Sequence, residues 1–443
     1  MKQQEGGNKK KSPLQTRLFK AVVRINSYNE EFDFINPLNR GNNTKSSGSG
    51  FFIDSSGHIL TCAHCVDNAT KVTCTIPSEG QREFDVEILG VCPFYDIAML
   101  KVKKYKVKHT LKLAPKKLKI EPGCETRAVG FPLGTDFLQL TKGILSGVQD
   151  NFYQTDTPIN PGNSGGPLML GEYVIGINAA GVLMADNIGY AVPIYRVNFI
   201  EDELKKKKYL IHYPALLFEY QKSNTSFNKC INNKCDGGVI VTDVPKASIF
   251  SKSDLKQGDV LCKVNGKAID NFGSIDSVWL NQKMSIKSFV SNIKLGSKVD
   301  LSLYRKGKLI SSSFMFKETK APIRQMFPSY EKIDHFEFAG MIFMNLSVNH
   351  LEERQLKNPE VAQYILEKNQ SEGKVILVNI LADSVVNEWK IFKKGDIIEC
   401  VNDVKIGTVD QMKRAIKKST ECGSISMKNS KNCIIFVDKK MAT

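Results

Sequence analysis

The chain lacks long apolar segments and an ordered set of paired cysteines. No apolar run approaches the roughly 18 residues that a bilayer-spanning helix needs, and the start, Met1 to Gly7, lacks the apolar core of a secretory signal. These absences predict a protein without a transmembrane segment or signal peptide, located inside the cell in the cytoplasm or nucleus. The 11 cysteines are an odd number without framework spacing, which predicts reduced thiols and no structural disulfides.

Motifs for metal or nucleotide binding are also missing. Cys62 and Cys65 form a C-x-x-C pair without a second pair, which favours a structural role over a zinc or redox site. We therefore predict no metal and no cofactor. The net charge of +16 leaves nucleic acid open as a partner, but the lysines are spread along the chain without interleaved aromatic residues, so this alternative is not favoured.

The 443 residues, of which 42% are hydrophobic and 24% charged, suit roughly three domains of about 150 residues each. We predict a basic, disordered tail followed by three domains. Their boundaries are residues 1–15 for the tail, then 16–208, 209–320 and 321–443.

A glycine-rich stretch places a serine between two strand-like runs. Its sequence is Asn160-Pro161-Gly162-Asn163-Ser164-Gly165-Gly166. Glycines let the backbone adopt positive φ and let neighbouring amides point at one spot, as an oxyanion requires. Ser164 is therefore a candidate nucleophile, and a glycine-rich turn without chemistry is the alternative.

Two other residues complete a possible catalytic set. His64 directly follows a strand-like run and is the candidate base, and Asp96, just ahead of an apolar strand, is the candidate carboxylate. The order His, Asp, Ser is that of chymotrypsin-type β-barrels, whereas α/β-hydrolases run Ser, acid, His and place a helix after the serine. The sequence thus favours a β-barrel serine protease.

The residues after position 208 contain an internal repeat. Lys256-Gln257-Gly258-Asp259 recurs as Lys393-Lys394-Gly395-Asp396, each before an apolar strand and an Asn-Gly or Asn-Asp hairpin turn. The two copies resemble PDZ domains, which bind extended peptides by strand addition.

The chain resembles the HtrA/Deg serine proteases, in particular the plant-type subgroup with two PDZ domains. The resemblance is carried by Gly48-Ser49-Gly50-Phe51, by Leu60 to His64, by Asp96-Ile97-Ala98 and by Thr155 to Pro167. It implies a mainly β protein, with a chymotrypsin-like double β-barrel protease domain followed by two α+β PDZ domains.

The resemblance also implies site residues. His64, Asp96 and Ser164 match the triad, and the oxyanion hole comprises Gly162, Asn163 and Ser164. The strand that pairs with substrate contains Ile177, Asn178 and Ala179. The peptide-binding loop of the second PDZ domain contains Ala339, Gly340, Met341 and Ile342.

The implied function is an ATP-independent serine endopeptidase that cleaves unfolded or damaged proteins. Its PDZ domains would bind peptides or protein C-termini, and the chain would form a homo-oligomer built on trimers. A PDZ scaffold or chaperone with a latent protease domain is the alternative. A protease in the first reading loses its activity with Ser164→Ala, whereas peptide binding in the second survives this change.

Overall fold

The fold was analysed in a computed structural model of the chain. It describes residues 13–39, 41–149, 152–181, 188–206, 209–235, 237–276, 283–356, 358–418 and 423–438. The predicted tail over residues 1–15 lies almost entirely outside the described residues. The chain divides into two units, the first formed by Met1–Glu30 and Asn43–Ile211 and the second by Glu31–Asn42 and His212–Thr443.

The first unit is built from short antiparallel strands with a helix near each end. The helices are α1 (Pro13–Ala21) and α2 (Val197–Leu204). The strands are β1 (Val22–Glu30), β2 (Asn43–Phe52), β3 (His58–Thr61), β4 (Ala69–Thr75), β5 (Glu83–Cys92), β6 (Ile97–Val102), β7 (Lys112–Leu113), β8 (Glu125–Gly130), β9 (Gln139–Gln149), β10 (Phe152–Thr155), β11 (Pro167–Leu170), β12 (Tyr173–Gly181), β13 (Gly189–Pro193) and β14 (Tyr209–Leu210).

Both sheets of this unit close into barrels. The first has the order β14-β5-β4-β1-β2-β3-β6 and closes where β5 pairs with β6. The second has the order β11-β8-β9-β10-β13-β12-β7 and closes where β11 pairs with β12. Closure removes the free edges of a sheet and explains why β6, paired on both sides, is apolar at nearly every position. The predicted double β-barrel is confirmed.

The second unit contains the two repeat copies. The first copy has β15 (Glu219–Lys222), β16 (Val239–Asp243), β17 (Val260–Val264), β18 (Lys267–Ala268), β19 (Ser274–Asp276), β20 (Lys283–Ser285), β21 (Lys298–Arg305), β22 (Lys308–Met315), α3 (Thr225–Cys230) and α4 (Ile286–Val290). The second copy has β23 (His335–Phe338), β24 (Met341–Asn345), β25 (Val375–Ile380), β26 (Ile397–Val401), β27 (Val404–Lys405), β28 (Ser424–Asn429), β29 (Ile434–Asp438), α5 (Val348–Glu352), α6 (Pro359–Ala362), α7 (Val385–Trp389) and α8 (Val409–Lys418).

Each copy forms its own sheet. The main path is β15-β16-β17-β21-β22 in the first copy and β23-β24-β25-β26-β28-β29 in the second. The second core packs strand residues such as Phe343 and Leu377 against the buried face of α8, which includes Met412. None of the described helices is long and apolar enough to cross a membrane.

One disulfide contradicts the prediction that all thiols are reduced. Cys235 and Cys262 are bonded to each other across a sequence separation of 27. Cys262 lies on β17 and Cys235 precedes β16, so sheet pairing in the first copy brings them together. Spacing along the chain carries no signal for such a pair, because the pairing depends on strand register.

Candidate active site

His64 lies in a short turn directly after β3. The strand ends at Thr61, and a 3₁₀ turn follows over Ala63–Cys65. Because β3 is paired with both β2 and β6, the turn starts from a fixed position. The side chain of His64 is 44% exposed, so its imidazole is accessible to a substrate.

Asp96 fixes the orientation of His64. It follows the 3₁₀ turn Pro93–Tyr95 in a left-handed conformation, with φ 56° and ψ 45°, which aspartate tolerates better than most residues. Its Oδ1 accepts from the backbone N–H of His64 at 3.0 Å, and its Oδ2 lies 2.8 Å from Nδ1 of the same residue. A carboxylate only accepts, so Nδ1 holds a proton, and in the neutral imidazole Nε2 is the basic atom.

The surroundings of His64 favour its protonated form. Burial lowers the pKa of His64, but the hydrogen bonds with Asp96 and with the Cys65 thiol raise it, and the net direction is upward. The imidazolium that forms when a base takes a proton is thereby stabilised. Asp67 differs from Asp96, since burial and the negative charge of Asp96 raise the pKa of Asp67 to about 6.

The loop that holds Ser164 requires glycine for two reasons. Gly162 and Gly165 have φ of 97° and 84°, values that disfavour residues with a Cβ atom. A Cβ at Gly165 would also lie 2.1 Å from the Ser49 carbonyl oxygen and 2.2 Å from Oγ1 of Thr61. The loop that holds Ser164 can therefore approach β2 and β3 this closely only because position 165 is a glycine.

Two backbone amides beside Ser164 are available to a ligand. Within the described part of the chain, the amides of Gly162 and Ser164 donate to no protein acceptor. The amide of Asn163 is used, since it donates to the Asn160 carbonyl at 2.9 Å. Of the three predicted oxyanion-hole residues, Gly162 and Ser164 thus have N–H groups that can stabilise a developing negative charge.

Ser49 supports this loop, a role that the sequence analysis missed. Its hydroxyl donates to the Gly162 carbonyl at 2.7 Å and accepts from the Phe131 amide at 3.0 Å. Its amide donates to the Ser164 carbonyl at 2.8 Å. The small residues on both sides of Ser49 were the feature of the sequence that could have indicated this role. They allow close packing, since a Cβ atom on Gly48 would lie 2.8 Å from Sγ of Cys65.

The hydroxyl of Ser164 is engaged by the neighbouring strand. It donates to the carbonyl oxygen of Ala179 at 2.6 Å. A hydroxyl has one proton, so Ser164 does not donate to His64 in this arrangement. The register of β12 shifts between Asn178 and Ala180, which makes Ala179 the extra residue of a β-bulge, a feature that redirects backbone groups near active sites.

The other two residues of the predicted substrate strand lie inside the sheet. Ile177 is fully buried and pairs with Pro167 on one side and Val192 on the other. Asn178 donates its amide to the Gly166 carbonyl at 2.8 Å. Ile177 and Asn178 therefore position the serine loop, and Ala179 accepts a hydrogen bond from Ser164.

The second PDZ copy does not present the loop that the sequence predicted. Ala339 and Gly340, with φ of 52° and 73°, form a two-residue turn between β23 and β24, in which Phe338 pairs with Met341. β24 is thus paired with β23 on one side and with β25 on the other. A peptide could add as a strand at Met341 and Ile342 only if β23 first dissociated from β24.

Comparisons with known proteins agree with this fold. Residues 48–177 match the trypsin-like peptidase domain family, and residues 214–313 and 327–443 each match a PDZ domain family. A probable periplasmic serine endoprotease, DegP-like, of Chlamydia pneumoniae is 27% identical over 89% of this chain and 75% of its own. The putative protease Do-like 13 of Arabidopsis thaliana is 25% identical over 90% and 80%.

Further relatives agree. The periplasmic serine endoprotease DegP of Salmonella typhimurium is 27% identical over 88% of this chain and 76% of its own. A solved structure of the HtrA-type protease AlgW with a decapeptide has a TM-score of 0.51 at 21% identity, and the match covers 70% of this chain and 98% of that one. This likeness concerns the fold.

The fold and the domain matches define the class, a trypsin-like serine endoprotease followed by two PDZ domains. Within that class, the chain is similar over most of its length to DegP-like and Do-like endoproteases, which are proteins of the HtrA/Deg type. The resemblance inferred from the sequence motifs is confirmed.

The predicted location in the cytoplasm or nucleus is wrong. Two of these relatives are named periplasmic endoproteases, which points to a periplasmic or extracellular compartment. The Cys235–Cys262 disulfide agrees with this correction, because disulfides persist in oxidising compartments.

Proposed function

We propose that the chain is an ATP-independent endopeptidase that cleaves unfolded or damaged proteins through His64, Asp96 and Ser164. The observation that carries the proposal is the pair of contacts between Asp96 and His64, which fixes the tautomer with a free Nε2. The candidate nucleophile lies beside two unengaged amides. This combination of base, orienting carboxylate and oxyanion donors suits acyl transfer.

The reaction would begin with a change at Ser164. Its hydroxyl must leave the Ala179 carbonyl, which can then accept an N–H from the substrate backbone, and must donate to Nε2 of His64. As Oγ attacks the scissile carbonyl, His64 takes the proton and the amides of Gly162 and Ser164 hold the oxyanion. His64 then protonates the leaving amine, and water hydrolyses the acyl-enzyme.

Cleavage of a chemically unfolded protein, without ATP or added metal, tests the proposal. The wild-type chain is expected to cleave it and Ser164→Ala to lose at least about a thousandfold in rate, as for loss of a triad nucleophile. Ser311→Ala, which changes an exposed serine on β22, is the matched control. Equal rates in wild type and Ser164→Ala would contradict the proposal.

A latent protease that serves as a PDZ scaffold or chaperone is the second candidate. It is favoured by one observation, the hydrogen bond from Ser164 to Ala179. It predicts that the folded wild-type chain cleaves nothing, even with a PDZ-binding peptide present, while Ser164→Ala binds that peptide as the wild type does.

For the PDZ domains, we propose that strand addition occurs on the first copy. β15 lies at the end of its sheet path and pairs with β16 alone among the described strands. A peptide or protein segment can hydrogen-bond to such an edge.

A homo-oligomer built on trimers also remains a proposal, and light scattering that gave a monomer across micromolar concentrations would contradict it.

A further inference from the structure

Three metal-ligating side chains meet beside the candidate base. Sγ of Cys62, a ring nitrogen of His64 and a carboxylate oxygen of Asp96 all lie within 4.8 Å of one another. Cys62 has no part in the proposed reaction. It is a free cysteine that is fully buried, and its thiol donates to the Asn178 carbonyl at 3.2 Å.

The spacing and chemistry of these atoms suit zinc. Three points no more than 4.8 Å apart share a centre within about 3 Å of each, and Zn²⁺ holds S, N and O ligands at about 2.0 to 2.3 Å. Movements of roughly 1 Å would therefore bring all three atoms to bonding distance, with solvent in the fourth position. Thiolate and imidazole ligands favour Zn²⁺ over the hard cations Mg²⁺ and Ca²⁺, which prefer oxygen.

The surroundings add negative charge. Oδ1 of Asp67 is buried without a hydrogen-bond partner among the described residues, and Asp67 interacts electrostatically with Asp96 and His64. The side chain of Cys65 also interacts with His64. A cation at this place would be attracted by the carboxylates of Asp67 and Asp96, and the side chain of His64 beside it is partly exposed.

We propose that Cys62, His64 and Asp96 bind Zn²⁺ and that the bound ion inhibits the protease. Binding forms bonds from zinc to the Cys62 sulfur, Nδ1 of His64 and the Asp96 oxygen. The thiol proton passes to solvent, and the proton that Nδ1 held moves to Nε2. The ion separates the histidine from its orienting carboxylate, so His64 cannot act as the base. The inhibition rests on the proposed function, but the binding does not.

Binding is tested first, in the full-length Ser164→Ala chain, with Co²⁺ as a spectroscopic probe. A thiolate-to-cobalt absorption band in the near ultraviolet is expected, and excess Zn²⁺ should abolish it. Adding Cys62→Ala should weaken Co²⁺ binding at least tenfold, with Cys62→Ser as a second variant if the alanine chain does not fold. Cys74→Ala, which changes another buried thiol of the same unit, should bind as the parent does.

Inhibition is tested in the active chain at buffered free Zn²⁺. Wild-type cleavage should fall as Zn²⁺ rises, and Cys62→Ala should need at least ten times more Zn²⁺ for the same loss. An unchanged cobalt band in Cys62→Ala, or its loss in Cys65→Ala alone, would overturn the assignment. If the Ser164→Ala variant still cleaved protein, the proposed function would be refuted, but the conclusion on metal binding from the cobalt experiment would not change.

Discussion

The two PDZ copies build the same turn from the same four-residue motif. In both, a glycine with φ near 90° precedes a buried aspartate, Gly258 before Asp259 and Gly395 before Asp396. Each aspartate accepts the backbone amide three residues earlier, at 2.8 Å in the first copy and 3.0 Å in the second. The motif therefore encodes a local structure that both copies share.

The copies differ in what surrounds that turn. Arg305 on β21 makes two hydrogen bonds to Asp259, whereas Asp396 is bonded by Lys431 and Asn429. A disulfide crosslinks only the first copy among the described cysteines.

The edge strands differ as well. β15 ends the first sheet, but its counterpart β24 is covered by β23. Phe338 on β23 is buried in the core, and Phe336 packs against that core under the Lys413 ammonium of α8. The repeated motif thus determines the turn in both copies. Residues outside the motif determine whether the edge of the sheet is accessible to a peptide.

The largest expected difference comes from the disulfide. Replacing Cys235 and Cys262 by serine should lower the unfolding free energy of the first copy by about 3 to 4 kcal/mol, the chain-entropy value for the loop between them. Hydrogen exchange followed by mass spectrometry would report this on β17 and leave β26 unchanged. The matched control replaces Cys400 and Cys433, which are free in the second copy. Equal losses in both copies would contradict the prediction.

Acid should weaken the second copy through His350. Burial lowers the pKa of His350 to about 4. The pKa of histidine in the unfolded chain is about 6.5. Below this pH the unfolded chain binds a proton at His350 that the folded chain does not bind. Stability should therefore fall as the pH falls from about 6.5 to 4, by about 2 kcal/mol between pH 7 and pH 5.

His350→Gln should remove this pH dependence, as measured by hydrogen exchange on β25 at both pH values. His212, whose pKa burial also lowers to about 4, lies at the start of the first copy, so His212→Gln is the matched variant. The prediction fails if the exchange of β25 in His350→Gln retains the wild-type response to pH.

Removing either motif aspartate should cost each copy a similar amount. Asp259→Ala and Asp396→Ala each lose several hydrogen bonds of a buried carboxylate, worth about 2 kcal/mol in total where the cation left behind can reach solvent. Local hydrogen exchange on β17 and β26 measures the two effects separately. Asp276→Ala, an exposed aspartate on β19, should change neither.

The smallest effect is expected for peptide binding. An extended peptide should bind the Ser164→Ala chain once, slowing amide exchange on β15 and leaving β23 unaffected. Phe338→Ala should loosen β23 and allow a second, weaker site beside β24, within about tenfold of the first in affinity. If the peptide slowed amide exchange on β23 in the chain without Phe338→Ala, the inferred difference between the two copies would be wrong.

Much of the candidate site could be predicted from the sequence, because its residues stand in local patterns. A histidine after a strand, an aspartate before one and a serine among glycines each have a local conformational reason, and their order selects the fold. His64 and Asp96 do lie in contact. Family motifs likewise indicated the two barrels and the PDZ domains.

Only the tertiary structure decided the contacts between distant segments. The support of Gly162 by Ser49, the engagement of Ser164 by a bulge at Ala179 and the Cys235–Cys262 bond all depend on strand register. The covering of β24 by β23 depends on it too. Register is set by the packing of whole sheets, in which a shift by one residue would turn every side chain to the other face, so no single motif specifies it.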